Sequence, residues 1–148
     1  MRISAKGRYA LAAVINMAQQ YHNGEYITLL RISEKLGISK IYLEQVFLLL
    51  RRAELVQSVK GAQGGYQLTR APEQMTVKDV LMAIEQALFE PTHETVQEKA
   101  PNIEAALRLS TFDVLDKAVR ETLGNITIAN LVNEAEKHKP DGAMMFYI

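Results

Sequence analysis

Residues 38–66 read ISKIYLEQVFLLLRRAELVQSVKGAQGGY and predict a helix followed by a β-hairpin. Ser39 is a favourable N-cap, because its hydroxyl can accept a hydrogen bond from a free backbone N–H in the first helical turn. Apolar residues then recur at steps of three and four, which predicts an amphipathic helix with one buried stripe. The stripe consists of Leu43, Val46, Phe47 and Leu50.

A β-hairpin is predicted directly after this helix. Residues 55–59 favour a strand, and residues 66–69 alternate between apolar and polar side chains. Gly61, Gly64 and Gly65 lie between them, and glycine adopts the backbone angles that a hairpin tip requires. An ordinary hairpin is the alternative. Polar and basic side chains on both elements favour a DNA-reading helix with a wing.

The residues before this helix predict a helix-turn-helix. A first helix is expected over residues 6–22. Thr28 is then predicted to cap a helix over residues 29–36. Gly37 is expected to end that helix, and Ser39 to begin the next one. In a DNA-binding helix-turn-helix with this spacing, the first helix supports the second one across the major groove. An αα-hairpin without a DNA function is the alternative.

The residues after the hairpin predict elements for dimerisation and signal input. A helix is expected over residues 77–88, followed by a loop over residues 90–101 that is rich in Glu, Thr and Pro. This loop is expected to be mobile and responsive to a signal. Asn102 is predicted to cap a long helix that reaches about Leu123. Its apolar stripe is longer than one small domain needs, so the helix is expected to pair with its symmetry mate.

The fold class predicted from these elements is mainly α with a small β-hairpin wing. We expect a winged helix-turn-helix DNA-binding domain over residues 1–88 and a mobile loop over residues 89–100. A dimerisation helix and a final helix are expected over residues 101–140, and an apolar C-terminal tail over residues 141–148.

Composition limits the class of protein. The chain has 148 residues, of which 48% are hydrophobic, enough for a compact domain with an accessory element. No apolar run approaches the roughly 18 residues of a membrane span. No cysteine is present, which excludes disulfides, thiolate catalysis and cysteine-ligated zinc or iron–sulfur sites. We therefore expect a cytoplasmic protein with no cofactor and no metal site.

Formal charge divides the chain into two halves. Residues 1–70 contain ten Lys and Arg against four Asp and Glu, a net charge of +6, and residues 71–148 carry −6. The basic half suits a polyanion, whereas the acidic half is expected to face away from phosphates. A solvated surface without a partner is the alternative.

An enzyme and a protein-interaction module are the rival classes. His22, His93 and His138 are far apart in the sequence, and none lies in a metal-binding or catalytic spacing. The sequence KGAQGGY at residues 60–66 resembles a phosphate loop but lacks the Gly-Lys-Ser/Thr ending that binds nucleotide. The chain is therefore predicted not to be an enzyme. An interaction module predicts no binding to DNA even at low salt.

The chain resembles the Rrf2 family of winged helix-turn-helix regulators in three stretches. These are MRISAKGRYAL at residues 1–11, ISKIYLEQVFLLLRRAELVQSVKGAQGGYQL at residues 38–68, and NITIANL at residues 125–131. The resemblance covers nearly the whole chain and implies a dimeric bacterial transcription regulator. Many members hold an iron–sulfur cluster on three cysteines in the loop before the long helix. The corresponding residues 85–101 contain no cysteine here, so the cluster is not expected.

Within the family, the chain resembles the cysteine-free CymR-like branch, whose members also end in MFYI, here Met145, Phe146, Tyr147 and Ile148. This resemblance implies a repressor of cysteine and sulfur metabolism genes that signals through a complex with cysteine synthase (O-acetylserine thiol-lyase). A pocket for an amino-acid carboxylate can capture a terminal isoleucine through backbone N–H groups. One alternative is that the tail packs on its own dimer. Another is an Rrf2-type regulator that senses a different small molecule or a redox signal without a cluster.

The recognition helix and the wing carry the predicted DNA contacts. Glu44 can accept a hydrogen bond from a cytosine amino group, and Gln45 can pair with adenine. Lys60 begins the wing tip and is expected to reach the minor groove. The alternatives are that Ser39 only caps the helix, that Tyr42 only packs against other residues and that Glu44 is only a solvated charge. The other expected contacts, mostly to phosphates, are Arg2, Lys6, Arg8, Ser39, Lys40, Tyr42, Gly64 and Gly65.

A two-fold dimer would place two recognition helices about 34 Å apart. The operator is therefore expected to be a dyad whose half-sites lie one or two helical turns apart.

Overall fold

A computed structural model describes residues 2–61 and 64–140 of the chain. Within them, the chain forms seven α-helices and one two-stranded antiparallel sheet, which confirms the predicted mainly α fold with a β-hairpin. The predicted partner-binding tail, Met145 to Ile148, lies outside the described residues. The helices are α1 (Ala5–Gln19), α2 (Leu29–Leu36), α3 (Lys40–Arg52), α4 (Val77–Ile84), α5 (Pro101–Leu107), α6 (Asp113–Gly124) and α7 (Ile128–Lys137), and the strands are β1 (Val56–Ser58) and β2 (Tyr66–Leu68).

The helix-turn-helix forms as the sequence predicts. Thr28 and Ser39 each cap the following helix, accepting a hydrogen bond from a backbone N–H three residues later at 3.2 and 3.1 Å. Gly37 ends α2 in the left-handed conformation with φ of +68°, which glycine adopts at little cost. The Ser33 hydroxyl donates to the Ile38 carbonyl at 2.6 Å and closes the turn. The angle between α2 and α3 is therefore fixed by hydrogen bonds as well as by packing.

The inward stripe of α3 lies at the centre of the main core. Leu43, Val46, Phe47 and Leu50 are completely buried, as predicted. Burial of this kind stabilises strongly, and replacing a buried phenylalanine with alanine typically costs about 3–5 kcal/mol. The outward face of α3 is therefore held in a defined orientation. Residues from the other elements of this core include Ala13, Val14 and Met17 of α1, Ile32 of α2, Leu68 of β2 and Ile128 of α7.

The wing is connected to the rest of the domain through its second strand. β1 and β2 pair antiparallel with Gln57 opposite Gln67. Tyr66 also pairs with Ile27, donating to its carbonyl at 2.8 Å and accepting from its N–H at 2.9 Å. Gly65 has φ of +132°, and a Cβ there would lie 3.2 Å from the Ile27 carbonyl oxygen. Glycine is thus required at residue 65 both by the backbone angle and by the close approach of another chain segment.

The helix α4 is shorter than predicted. It ends at Ile84, so the expectation of a helix over residues 77–88 is wrong, and residues Gln86–Phe89 form a 3₁₀ turn. The tighter turn brings Phe89 into a small second core, where it is 9% exposed. The Glu85 carboxylate, at the break, accepts a hydrogen bond from the backbone N–H of Ser4. The break therefore connects α4 to the residues that precede α1.

The long helix forms but is not regular along its length. Residues 101–124 are helical, with a π-helical segment at Arg108–Phe112 between α5 and α6. The prediction that Asn102 caps this helix is wrong, because the helix begins one residue earlier, at Pro101. Proline suits a first helical position, where its missing N–H would have no partner inside the helix. Asn102 consequently lies within the first turn.

The final helix packs on the winged domain. The Val77 N–H donates to the Ile126 carbonyl at 2.9 Å, and the Ile128 N–H donates to the Met75 carbonyl at 2.7 Å. These bonds join the start of α7 to the start of α4. The domain boundaries expected near residues 88, 100 and 140 stay a prediction. None of the helices in the described part of the chain is long and apolar enough to cross a membrane.

Candidate nucleic-acid interface

The outward face of α3 is polar at its start and open to solvent. Lys40, Glu44 and Gln45 are exposed, as expected of residues that contact DNA. Neither Lys40 nor Glu44 forms an ion pair with another described residue. Two apolar residues, Ile41 and Leu48, share this face and are 72% and 48% exposed. Neither residue was predicted from the sequence to contact DNA.

Tyr42 is half-buried and packs against α1. Its ring meets the Tyr9 ring edge to face, with 5.0 Å between the ring centroids and 83° between the ring planes. This contact gives Tyr42 the packing role that was one alternative. It also brings the start of α1 beside the start of α3. Phosphate binding by the Tyr42 hydroxyl stays a prediction.

Ser39 caps α3 and is itself exposed. Its oxygen accepts the Tyr42 N–H, which leaves the hydroxyl hydrogen available as a donor. The start of a helix carries a partial positive charge, so it attracts phosphate oxygens. The cap and the expected phosphate contact are therefore compatible.

Three basic side chains gather at the start of α1. Arg2 and Arg8 are exposed and Lys6 is half-buried. None of them forms an ion pair with a described residue. Ser4 caps α1 by accepting the Gly7 N–H at 3.1 Å, so this segment has a fixed conformation. Since Tyr9 touches Tyr42, the first turns of α1, which carry Lys6 and Arg8, lie close to the start of α3. Phosphate binding by these cations stays a prediction.

The wing tip is described only in part, since residues 62 and 63 lie outside the described ranges. Lys60 is exposed and lies two residues beyond the end of β1. Gly64 has φ of +60°, and the Val59 N–H donates to the Gly65 carbonyl at 3.0 Å at the base of the tip. Backbone geometry thus accounts for both glycines. Their contact with DNA, like that of Lys60, stays a prediction.

A buried carboxylate organises the loop before the long helix. Glu104 is 2% exposed, and its Oε1 accepts the backbone N–H groups of Thr95 and Val96, both at 2.7 Å. Its Oε2 lies 3.6 Å from the Arg108 guanidinium, which donates to the Thr92 carbonyl at 2.7 Å. The N–H groups of Val96 and Thr95 hold the pKa of Glu104 below its usual value, although burial acts in the opposite direction. Glu104 is therefore ionised at neutral pH.

The hydrogen bonds between Glu104 and the loop were not predicted from the sequence. The available signal was a Glu four residues before an Arg on a predicted helix, which is common on solvated helix faces. The middle of a loop that was expected to be mobile is hydrogen-bonded to the long helix. Mobility of the loop as a whole stays a prediction.

The residues of this loop do not fit an iron–sulfur cluster. The chain contains no cysteine, and the Glu104 carboxylate is already bound to two N–H groups and next to a guanidinium. Within residues 2–61 and 64–140, no three His, Cys, Asp or Glu side chains converge as metal ligands. If this loop responds to a signal, the signal is therefore something other than a cysteine-bound iron–sulfur cluster.

An apolar face runs along the long helix. Ile103, Leu109, Val114 and Leu115 are each more than half exposed in the single chain. Further along, Ala118, Val119, Thr122 and Leu123 line a shallow apolar groove. Exposing apolar side chains to water is unfavourable, and a group of them on one element marks a candidate interaction site. The face is therefore available for the predicted pairing with a second copy.

Comparison with known proteins gives consistent matches. Residues 3–134 match the Rrf2 family, described as iron-dependent transcriptional regulators. The HTH-type transcriptional regulator IscR of Erwinia tasmaniensis is 38% identical over 136 residues, which cover 92% of this chain and 81% of that protein. These matches confirm the resemblance to Rrf2 regulators and the prediction that the chain is not an enzyme.

Two solved structures resemble the fold over most of its length. T. potens IscR aligns with a TM-score of 0.73 and 32% identity, covering 99% of this chain and 97% of that one. CymR, the global cysteine regulator of B. subtilis, aligns with a TM-score of 0.74 and 31% identity, covering 90% and 98%. The likeness confirms the predicted fold class. Since the two scores are nearly equal, it does not separate a CymR-like branch from an IscR-like one.

Proposed function

Because the chain belongs to the Rrf2 family of DNA-binding transcriptional regulators, we propose that two copies of it bind a dyad operator through α3 and the wing. The observation that carries the proposal is the division of α3 into two faces. Four residues fix its inner face in the core, and Lys40, Glu44 and Gln45 are exposed on its outer face. The cations at the start of α1 are proposed to bind the flanking phosphates.

We propose that the long helix forms the dimer interface. Its exposed apolar residues supply a surface that a second copy can bury, and a two-fold axis would relate the two α3 helices. Two major grooves on one side of B-DNA lie about 34 Å apart, which sets the expected spacing of the half-sites. A regulator of this kind acts on the chromosome, so the proposal includes a cytoplasmic location.

For the regulated genes, we propose cysteine and sulfur metabolism, with the protein acting as a repressor. The similarity to a global cysteine regulator, the absence of cysteine and the ending MFYI support this proposal. Cysteine synthase is the proposed partner, and the C-terminal residues are its proposed docking segment. The second candidate is an Rrf2-type regulator that senses a different small molecule or a redox signal without a cluster. The IscR names among its relatives favour this candidate.

A binding assay on DNA tests the first part of the proposal. The full chain is mixed with duplexes from its own sulfur-gene promoters and with a random duplex of equal length, and complexes are separated by gel electrophoresis. We expect a promoter to be bound at salt concentrations at which the random duplex is free. Gln45→Ala, at an exposed position, should weaken promoter binding without changing the melting temperature. Equal affinity for both duplexes at every salt concentration would reject a sequence-specific regulator.

A pull-down tests the partner. Deleting residues 146–148 should leave DNA binding unchanged and abolish capture of cysteine synthase, since the isoleucine side chain and the two aromatic residues before it are then absent. Capture of the enzyme by the shortened chain would reject the docking segment. If neither chain captures the enzyme but both bind DNA, the second candidate is favoured.

A further inference from the structure

Ile41 has the most exposed of the large apolar side chains in the part of the chain that the structure describes. It is 72% exposed and is the second residue of α3, directly after Lys40. Isolated exposed apolar residues are common on protein surfaces. The position of this one is unusual, because it lies in the middle of the surface that is proposed to face DNA.

The helical repeat places Ile41 next to Gln45. Residues four apart on an α-helix lie on the same face, one turn from each other. Both side chains are exposed, whereas Val46 and Phe47 on the other side of the helix are completely buried. In a helix-turn-helix, the first turns of the second helix contact base edges. Ile41 and Gln45 are thus placed to meet neighbouring base pairs.

The chemistry of isoleucine restricts what it can read. Its side chain has no donor or acceptor, so it cannot form the hydrogen bonds by which most bases are distinguished. In the major groove, the one apolar group that a base edge presents is the C5-methyl of thymine. We propose that Ile41 is a specificity-determining residue that packs on a thymine C5-methyl group, beside the base pair that Gln45 contacts. The proposal rests on the proposed DNA-binding function and adds the chemical group that is recognised.

Replacement of thymine by uracil tests this contact, because the two bases differ only by the methyl group. The full chain selects a duplex from a random pool, and each thymine of one half-site is then replaced in turn. Dissociation constants are measured for the wild type, Ile41→Ala, Ile41→Val and Leu48→Ala. Leu48→Ala is the matched control, because it also removes an exposed apolar side chain from α3, two turns further along.

We expect one uracil to weaken wild-type binding about fourfold, since a buried methyl contributes about 0.8 kcal/mol and 1.4 kcal/mol is tenfold. The same uracil should have no effect on Ile41→Ala, while Leu48→Ala and Ile41→Val remain sensitive to it. If no uracil weakens the wild type, or if Ile41→Ala remains equally sensitive, the contact does not exist. If the protein selects no duplex, the proposed function itself fails. These outcomes are distinguishable in one experiment.

Discussion

The carboxylate of Glu104 accepts a hydrogen bond from the backbone N–H of Val96, eight residues earlier, at 2.7 Å. The Thr95 N–H also donates to Glu104, and the Arg108 guanidinium donates to the Thr92 carbonyl. Together these bonds hold the middle of the loop against the first turns of the long helix. The loop and the start of the long helix are therefore one connected unit.

Removing the carboxylate should release the loop. In Glu104→Ala, the N–H groups of Thr95 and Val96 lose their acceptor, and we expect their hydrogen exchange to accelerate at least about tenfold. Glu98→Ala is the control, since Glu98 is exposed on the same loop. Exchange is read at single amides by NMR. Equal protection in Glu104→Ala and wild type would show that other contacts hold the loop.

Acid should weaken the hydrogen bonds that the Glu104 carboxylate accepts from the loop. The pKa of Glu104 is lower in the folded protein than in the unfolded chain, so the unfolded state takes up its proton first. The stabilising contribution is therefore complete above the unfolded-state pKa and is lost as the pH falls through the folded-state value. Urea unfolding between about pH 6 and pH 3 should show a smaller loss of stability in Glu104→Gln than in the wild type. Identical losses in the two proteins would contradict this assignment.

Tyr42 allows a test that separates packing from DNA contact. Tyr42→Phe keeps the ring that meets Tyr9 and removes only the hydroxyl. If the hydroxyl donates to a phosphate, the variant should keep its melting temperature and bind every duplex about 3- to 10-fold more weakly. Tyr42→Ala should in addition lower the melting temperature, because the aromatic pair is lost. Unchanged affinity in Tyr42→Phe would leave Tyr42 with the packing role alone.

Lys60 is the exposed cation at the wing tip. If it neutralises one phosphate, Lys60→Ala should reduce the slope of log affinity against log salt by about 0.9. Lys117→Ala is a suitable control, because Lys117 is an exposed lysine of α6, outside the winged domain, whose ion pair with Glu121 spans 3.9 Å. Fluorescence anisotropy from about 50 to 200 mM salt gives the slopes. A slope that is the same in Lys60→Ala and wild type would remove Lys60 from the contact surface.

The helix-turn-helix could be predicted in detail because its signals are local. A hydroxyl at residue 39, a glycine at residue 37 and a stripe of apolar residues act over one or two turns. The wing was predictable for the same reason, since glycines and alternating side chains define a hairpin within about a dozen residues. The structure confirms each of these elements.

Two of the three features that the sequence did not predict depend on contacts between separate segments. α4 ends at Ile84 where the break at Glu85 binds Ser4 and brings Phe89 into a core. Glu104 is buried because backbone N–H groups from the preceding loop fold onto it. Ile41 could not be identified as exposed by its residue type, since isoleucine is usually buried. Contacts between separate segments determine the first two, whereas Ile41 is exposed because it lies outside the buried stripe of α3.

A hydroxyl-radical footprint of the full chain on its selected duplex tests whether two copies of the protein bind one operator. We predict two protected segments related by a dyad, with centres one or two helical turns apart, since two copies would each place one α3 in a major groove. Leu115→Asp, at a residue 58% exposed on the long helix, should remove both segments at a concentration that protects them in the wild type. A single protected segment without a dyad, or protection that Leu115→Asp leaves unchanged, would contradict the dimeric reading of DNA.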